Sequence, residues 1–155
     1  MKHTTEDILI NLDNLLQDDQ FEMSILANAS SWLYEKTANI NWLGFYIYTN
    51  NNLYLGPFQG KVACNFIKMG HGVCGESAQK LKTVIVPDVS LFSGYIACDG
   101  DTKSEIVVPI VVNNQLYGVL DIDSPHLNRF TKDDETLFSQ AAKIIAKHLS
   151  IVLYK

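Results

Sequence analysis

The sequence is short of positive charge and of everything positive charge is used for. Its 155 residues include 12 Lys and Arg against 17 Asp and Glu, a formal net charge of −5, with no cluster of four or more basic residues. A nucleic-acid surface needs a basic footprint to neutralise phosphates, so an extended one is excluded. Long apolar runs are missing as well, and nothing approaches the ~20 residues of a membrane-spanning helix. The opening MKHTTEDILINLDN sets acids among its apolar residues, unlike a secretory leader. Cysteine is scarce and odd in number: there are three, with no C-x-x-C pair and only His71 nearby. That is not an extracellular disulfide framework, and no metal site is expected. These absences point to a cytoplasmic protein. Repeats, low-complexity tracts and long linkers are also lacking, and the length suits a single domain over 1–155 with a real core. GHGVCGES has neither the Walker lysine nor the dinucleotide glycine spacing, so it carries little weight as a phosphate loop.

What is present is a clear succession of helices and strands. Thr4 with Asp7 fits a capping box, and Ile8, Leu12, Leu15 and Leu16 follow at helical spacing. A second helix is predicted from about Glu22 to Lys36. NWLGFYIYTNNNLYLGPFQG reads as two strands around an Asn-rich turn at 50–52, rich in the aromatic and β-branched residues that strands prefer. HGVCGESAQKL reads as a short helix over 72–81 opened by glycines, KTVIVPD as a strand, and 87–103 as a long loop. EIVVPIVVNNQLYGVLDID is a hairpin turning at Asn113-Asn114. In the last helix Thr131 and Asp134 form the cap, and Leu137, Ala141, Ile144, His148 and Val152 form one stripe. The order is that of an α+β fold, an antiparallel sheet with its helices gathered on a face and the first and last helices together.

Asp121 and Asp123 lie on one face of their strand, about 6.7 Å apart along the chain, with Tyr117 and Val119 before them. Two such acids repel unless they are solvated or given a cation, so they mark either a wet strand end or a carboxylate pocket. Glu105 opens the partner strand and pairs near Leu120 to Ile122, bringing a third carboxylate close. Cys98 stands seven residues upstream of it, beside Asp99 and Asp101. Thiolates want positive neighbours, so those acids argue against a reactive Cys98. Cys74 is the rival: in the first turn of a helix its thiolate gains ~0.3–1 kcal/mol from the dipole, although a small buried residue fits there equally. Cys64 has no activating neighbour except Lys61 and reads by itself as structural. Trp42, Gly44, Tyr46 and Tyr48 share a strand face, either as core or as the wall of a small pocket above the acids. His148 reads as a packed histidine on the apolar stripe of the last helix.

Taken in order, NWLGFYIY, LYLGPFQGKVAC, GHGVCGESA, VIVPDV, GYIACDGDTKSEIVVPI, GVLDIDSP and RFTKDDE resemble the free methionine-(R)-sulfoxide reductases. These are single GAF domains that reduce free rather than protein-bound methionine sulfoxide. The resemblance covers about residues 20–150, and the cysteines keep the family intervals of 10 and 24 residues. The segment before residue 20 is the least diagnostic.

The resemblance implies a central, mainly antiparallel sheet of about six strands, with terminal helices on one face and a loop-built pocket on the other. It makes Cys98 the residue that attacks the sulfoxide sulfur, Cys64 the thiol that resolves the sulfenic acid, and Cys74 an auxiliary or alternative partner. Glu105, Asp121 and Asp123 would line the substrate pocket, with Trp42 and Tyr46 near the methyl end. It further implies thioredoxin as reductant, a homodimer, and no metal or organic cofactor. The acids then make chemical sense, because a sulfoxide oxygen leaves poorly unless protonated and a buried carboxylic acid keeps its proton. The competing reading is a non-catalytic GAF module that binds a small molecule or senses redox state, since fold alone does not settle function.

Overall fold

A computed structural model describes residues 3–155; residues 1 and 2, at the head of the N-terminal segment, lie outside the described residues. The helices are α1 (Thr5–Leu16), α2 (Glu22–Lys36), α3 (Gly72–Lys80) and α4 (Lys132–Leu153). The strands are β1 (Trp42–Thr49), β2 (Asn52–Gly60), β3 (Phe66–Lys68), β4 (Val84–Val86), β5 (Ser104–Val112) and β6 (Gln115–Ser124). They form one antiparallel sheet in the order β3-β2-β1-β6-β5-β4. This is the α+β architecture the sequence predicts.

Local chemistry explains the boundaries. Both capping boxes form: Asp7 N–H donates to Thr4 Oγ1 at 3.1 Å, and Asp134 N–H donates to Thr131 Oγ1 at 3.4 Å. Each tight hairpin turns on an Asn pair with left-handed backbone, φ 51° and 63° at Asn50 and Asn51, 49° and 64° at Asn113 and Asn114. A turn with that twist needs positive φ at both central residues, and Asn tolerates it. α3 stops at Lys80, one residue short of the predicted end, because Leu81 is itself left-handed at φ 54°.

The two sheet faces have different tasks. Leu43, Phe45, Ile106, Leu120 and Ile122 point to one side and build the main core with Leu12, Leu16, Ile25, Leu33, Phe138 and Ile145 of α1, α2 and α4. Two details of the helical stripes need correcting. Leu15 is exposed, and Ile144 is only partly buried, while Phe138, Ile145 and Leu149 carry the covered face of α4. A chain of i, i+4 and i+7 steps drifts around a 3.6-residue helix, so neighbouring positions share the burial. His148 is packed, and it ties α4 to α1: its Nε2 lies 2.6 Å from Asp13 Oδ1, and Lys147 Nζ pairs with the same oxygen at 2.7 Å. Hydrogen bonds from Lys147 and then His148 hold the Asp13 carboxyl below its usual range. None of the described helices is long and apolar enough to cross a membrane.

One irregularity decides where the acids go. Beyond the Asn113-Asn114 turn, Val112 pairs with Gln115 and Val111 with Leu116, but Ile110 pairs with Gly118. Without that one-residue bulge Glu105 would face Ile122 and point into the helical core. With it, Glu105 faces Asp123. A one-residue slip moves every side chain to the opposite face, so the bulge brings the third carboxyl to the side of the other two.

Candidate active site

Directly opposed residues share a sheet face, so the register reads out the floor of the site. One row across the strands is Trp42, Asp123, Glu105, Val86; the next is Gly44, Asp121, Val107, Val84. Above this floor lie α3 and the loop 87–103, with Trp42, Tyr46, Val73, Cys74, Val107 and Val119 in a second apolar cluster. Gly44 is needed for the layout. A Cβ there would sit 2.3 Å from Phe58 Cβ and 2.8 Å from Trp42 Cη2, in the space where Trp42 and Phe58 stack at 5.2 Å.

The acids are buried, which rules out the wet strand end. Glu105 and Asp121 are each 5% exposed and Asp123 9%, and one oxygen each of Asp121 and Asp123 is buried without a hydrogen-bond partner. Burial, the largest cause, pushes all three carboxyls above their ordinary range, with mutual repulsion adding for Glu105 and Asp123. For Asp121 the hydrogen bonds from Glu105, Cys74 and Asp123 oppose the rise. The site thus gathers three carboxyls, each biased by burial toward keeping its proton, within one small volume.

The cysteines fall into two kinds. Cys64 and Cys98 form a disulfide, Cα atoms 5.3 Å apart across 34 residues of sequence. Cys74 is free and buried. Burial first, then the charges of Asp121, Glu105 and Asp123, push its thiol well above the ordinary range. The helix-terminus argument for a Cys74 thiolate therefore fails here: a dipole contribution of ~0.3–1 kcal/mol does not overcome burial beside three carboxyls.

The aromatic pair has a second task that the sequence does not reveal. Trp42 and Tyr46 stack at 6.0 Å and wall the cavity, and their polar tips fasten the Cys64 segment. Trp42 Nε1–H donates to the Lys61 carbonyl at 3.1 Å, and Tyr46 O–H donates to the Cys64 carbonyl at 2.8 Å. Asp99 and Asp101 also find roles. Asp99 accepts from Asn41 Nδ2–H at 2.9 Å and from the Asp101 N–H at 2.9 Å, pinning the Cys98 loop to the start of β1. Asp101 pairs with Lys61 at 2.7 Å, joining the two cysteine-bearing segments a second time. Neither acid faces the pocket as a repulsive charge alone.

Cys74, Cys98, Glu105, Asp121, Asp123, Trp42 and Tyr46 all line one cavity of about 30 Å³, and Cys64 reaches it through the disulfide. That volume holds water but not an amino acid, since one water needs roughly 10–15 Å³ by the same measure. Tyr95 and Ile96 of the Cys98 loop also line it and help close it. Sequence reasoning passes over those two, and over Asn41, because loop residues carry no periodicity to place them.

A six-stranded antiparallel sheet with α1, α2 and α4 on one face and a pocket covered by α3 and the loop 87–103 on the other defines a GAF domain, and the GAF domain family model matches residues 12–149. The chain is 44% identical to the free methionine-R-sulfoxide reductase of Escherichia coli, covering 96% of this chain and 90% of that one. Among solved structures it is similar to the free methionine-R-sulfoxide reductase of Neisseria meningitidis in complex with its substrate, with 36% identity, a TM-score of 0.92 and coverage of 96% and 89%. It is similar also to the fRMsr of Staphylococcus aureus in its reduced form, with 42% identity, a TM-score of 0.91 and coverage of 94% and 95%. The chain belongs to the free methionine-(R)-sulfoxide reductase family of GAF domains.

Proposed function

We propose that this protein reduces free L-methionine (R)-sulfoxide to methionine in the cytoplasm, as a homodimer recycled by thioredoxin, without metal or organic cofactor. The observation that carries the reading is the placement of the Cys64–Cys98 disulfide at a pocket whose floor is three buried carboxyls. The relatives' names and a substrate complex support the substrate class.

In the reduced enzyme Cys98 attacks as the thiolate, and its sulfur bonds to the sulfoxide sulfur. The oxygen of the S–O bond takes a proton from the Glu105–Asp123 side of the cluster and passes to Cys98. Methionine leaves two electrons richer, and Cys98 is left as the sulfenic acid. Cys64 then attacks that sulfur, the disulfide forms and water departs. A dithiol of the thioredoxin type supplies two electrons and two protons to reopen it. Asp121, whose hydrogen bonds oppose the rise in its pKa, holds the α-ammonium that peptide-bound methionine lacks, and Trp42 and Tyr46 enclose the methyl end. The first turn of α3 has no side-chain cap, and Gly72 and Val73 line the cavity, so its positive end faces the negative charge of the reaction.

The test is NADPH consumption coupled through thioredoxin and its reductase, with free (R)-sulfoxide, the (S) epimer and a blocked peptide form compared. Turnover of the free (R) form alone is expected. Cys98→Ser should abolish it, and Cys64→Ser should allow one turnover and then stall. Wild-type activity in Cys98→Ser would overturn the assignment.

A further inference from the structure

The mechanism leaves Cys74 without a task, yet the fold presents it to the two acids with care. Cys74 comes from the first turn of α3, Glu105 from the start of β5 and Asp121 from the end of β6. One donor atom of each, Sγ and two carboxyl oxygens, lies within 4.8 Å of the others, and all three residues are buried. A tetrahedral zinc ion needs thiolate and carboxylate donors about 3.4–3.7 Å apart, so a contraction of about 1 Å closes the set. In the same cluster one oxygen each of Asp121, a member of the set, and Asp123, beside it, is buried without a hydrogen-bond partner. The cavity these groups line, about 30 Å³, is too small for an amino acid and large enough for a bare ion.

We propose that the pocket binds a thiophilic divalent cation of the zinc class through Cys74, Glu105 and Asp121, and that this cation and the substrate exclude one another. On binding, Cys74 gives up its thiol proton to solvent as the metal–sulfur bond forms, and carboxyl protons leave as metal–oxygen bonds replace them. No electron moves. The cation occupies the carboxyl groups the reduction needs, so it shuts the site until it is removed. The regulatory half of this proposal rests on the reductase reading; the binding half does not.

Cobalt(II) is the probe, because a thiolate–cobalt bond gives a near-ultraviolet charge-transfer band that carboxylates do not. In the oxidised protein Cys64 and Cys98 are locked together, so Cys74 is the one thiol available. The band is expected there and in the Cys64→Ser/Cys98→Ser double variant, is bleached by added zinc, and is lost in oxidised Cys74→Ser. Absence of the band from the oxidised protein, or its survival in Cys74→Ser, would overturn the site. Binding should weaken at least roughly tenfold in Glu105→Gln or Asp121→Asn. In the coupled assay zinc should raise KM for the sulfoxide with little change in kcat, and Cys74→Ser should need at least roughly tenfold more zinc for the same effect. A band without inhibition refutes mutual exclusion alone. A band in a protein that reduces no sulfoxide refutes the reductase reading and leaves the metal site standing.

Discussion

Reducing the Cys64–Cys98 disulfide should make the protein markedly easier to unfold, and only those two cysteines should matter. The bridge closes a loop of 34 residues that contains β3, α3, β4 and most of the loop 87–103. In the chain-entropy account that crosslink removes from the unfolded ensemble about 12.6 cal/mol/K, or about 3.8 kcal/mol at 25 °C. For a domain of this size each kcal/mol shifts the midpoint by about 2–4 °C, so reduction should lower Tm by about 8–15 °C. The assay is thermal denaturation by circular dichroism of the oxidised protein, with and without a phosphine reductant that does not absorb. Cys64→Ser and Cys98→Ser should each start at the lower Tm and ignore the reductant. Cys74→Ser should keep the full redox-dependent shift. Equal midpoints for the oxidised and reduced wild type would refute the loop-entropy reasoning, and loss of the shift in Cys74→Ser would refute the pairing.

Lys61 and Asp101 stand three residues outside Cys64 and Cys98, so their pair should steer the closure of that disulfide. Both side chains are largely exposed, and exposed pairs are weak, so Lys61→Glu should slow closure after one turnover only a few-fold, at most about fivefold. The Lys61→Glu/Asp101→Lys swap should restore the rate, with the benefit fading in high salt; a swap no faster than the single variant would refute the steering role. The carboxyl cluster predicts a pH signature in stability. Glu105 and Asp123 have folded-state pKa values raised by burial, so their contribution is complete below the unfolded values near about 4 and is lost as pH rises through the folded values. Glu105→Gln removes one such loss, so its Tm relative to wild type should climb steadily with pH above about 4. A gap that stays constant or narrows would refute the buried-acid assignment.

The helices and strands were legible because each announces itself locally: capping boxes at Thr4 and Thr131, Asn pairs at both hairpin turns, alternation along β1 and β6. The co-planarity of Asp121 and Asp123 was legible for the same reason, since a period of two needs no tertiary information. The exact partner of Glu105 was not. A plain two-residue turn places it opposite Ile122, and only Gly118, a glycine within the strand, hints at the bulge beside Ile110 that moves it to Asp123. The fastening of Lys61, Cys64, Asp99 and Thr102 was equally invisible. Its partners Trp42, Tyr46 and Asn41 are 18 to 61 residues away in sequence and meet them only through the sheet.

Asp99 and Asp101 show why local charge misjudges a thiol. Read along the chain, they surround Cys98 with negative charge and argue for an inert sulfur. In the fold Asp101 is neutralised by Lys61 and Asp99 is bound by Asn41, so both are structural ties on the loop that carries Cys98. Cys74 shows the converse: a helix N-terminus promises a thiolate, and burial beside Glu105, Asp121 and Asp123 withdraws it. Both reversals come from elements distant in sequence, β1 and the Cys64 segment in one case, β5 and β6 in the other. The same sheet register that withholds ionisation from Cys74 keeps protons on carboxyls facing the pocket. A sulfoxide needs that proton more than it needs a second thiolate. A domain that merely bound a small molecule would have no use for a disulfide-forming pair at the rim of such a floor. Under the proposed mechanism the oxidised form, whose cavity of about 30 Å³ cannot hold an amino acid, is the state that follows product release.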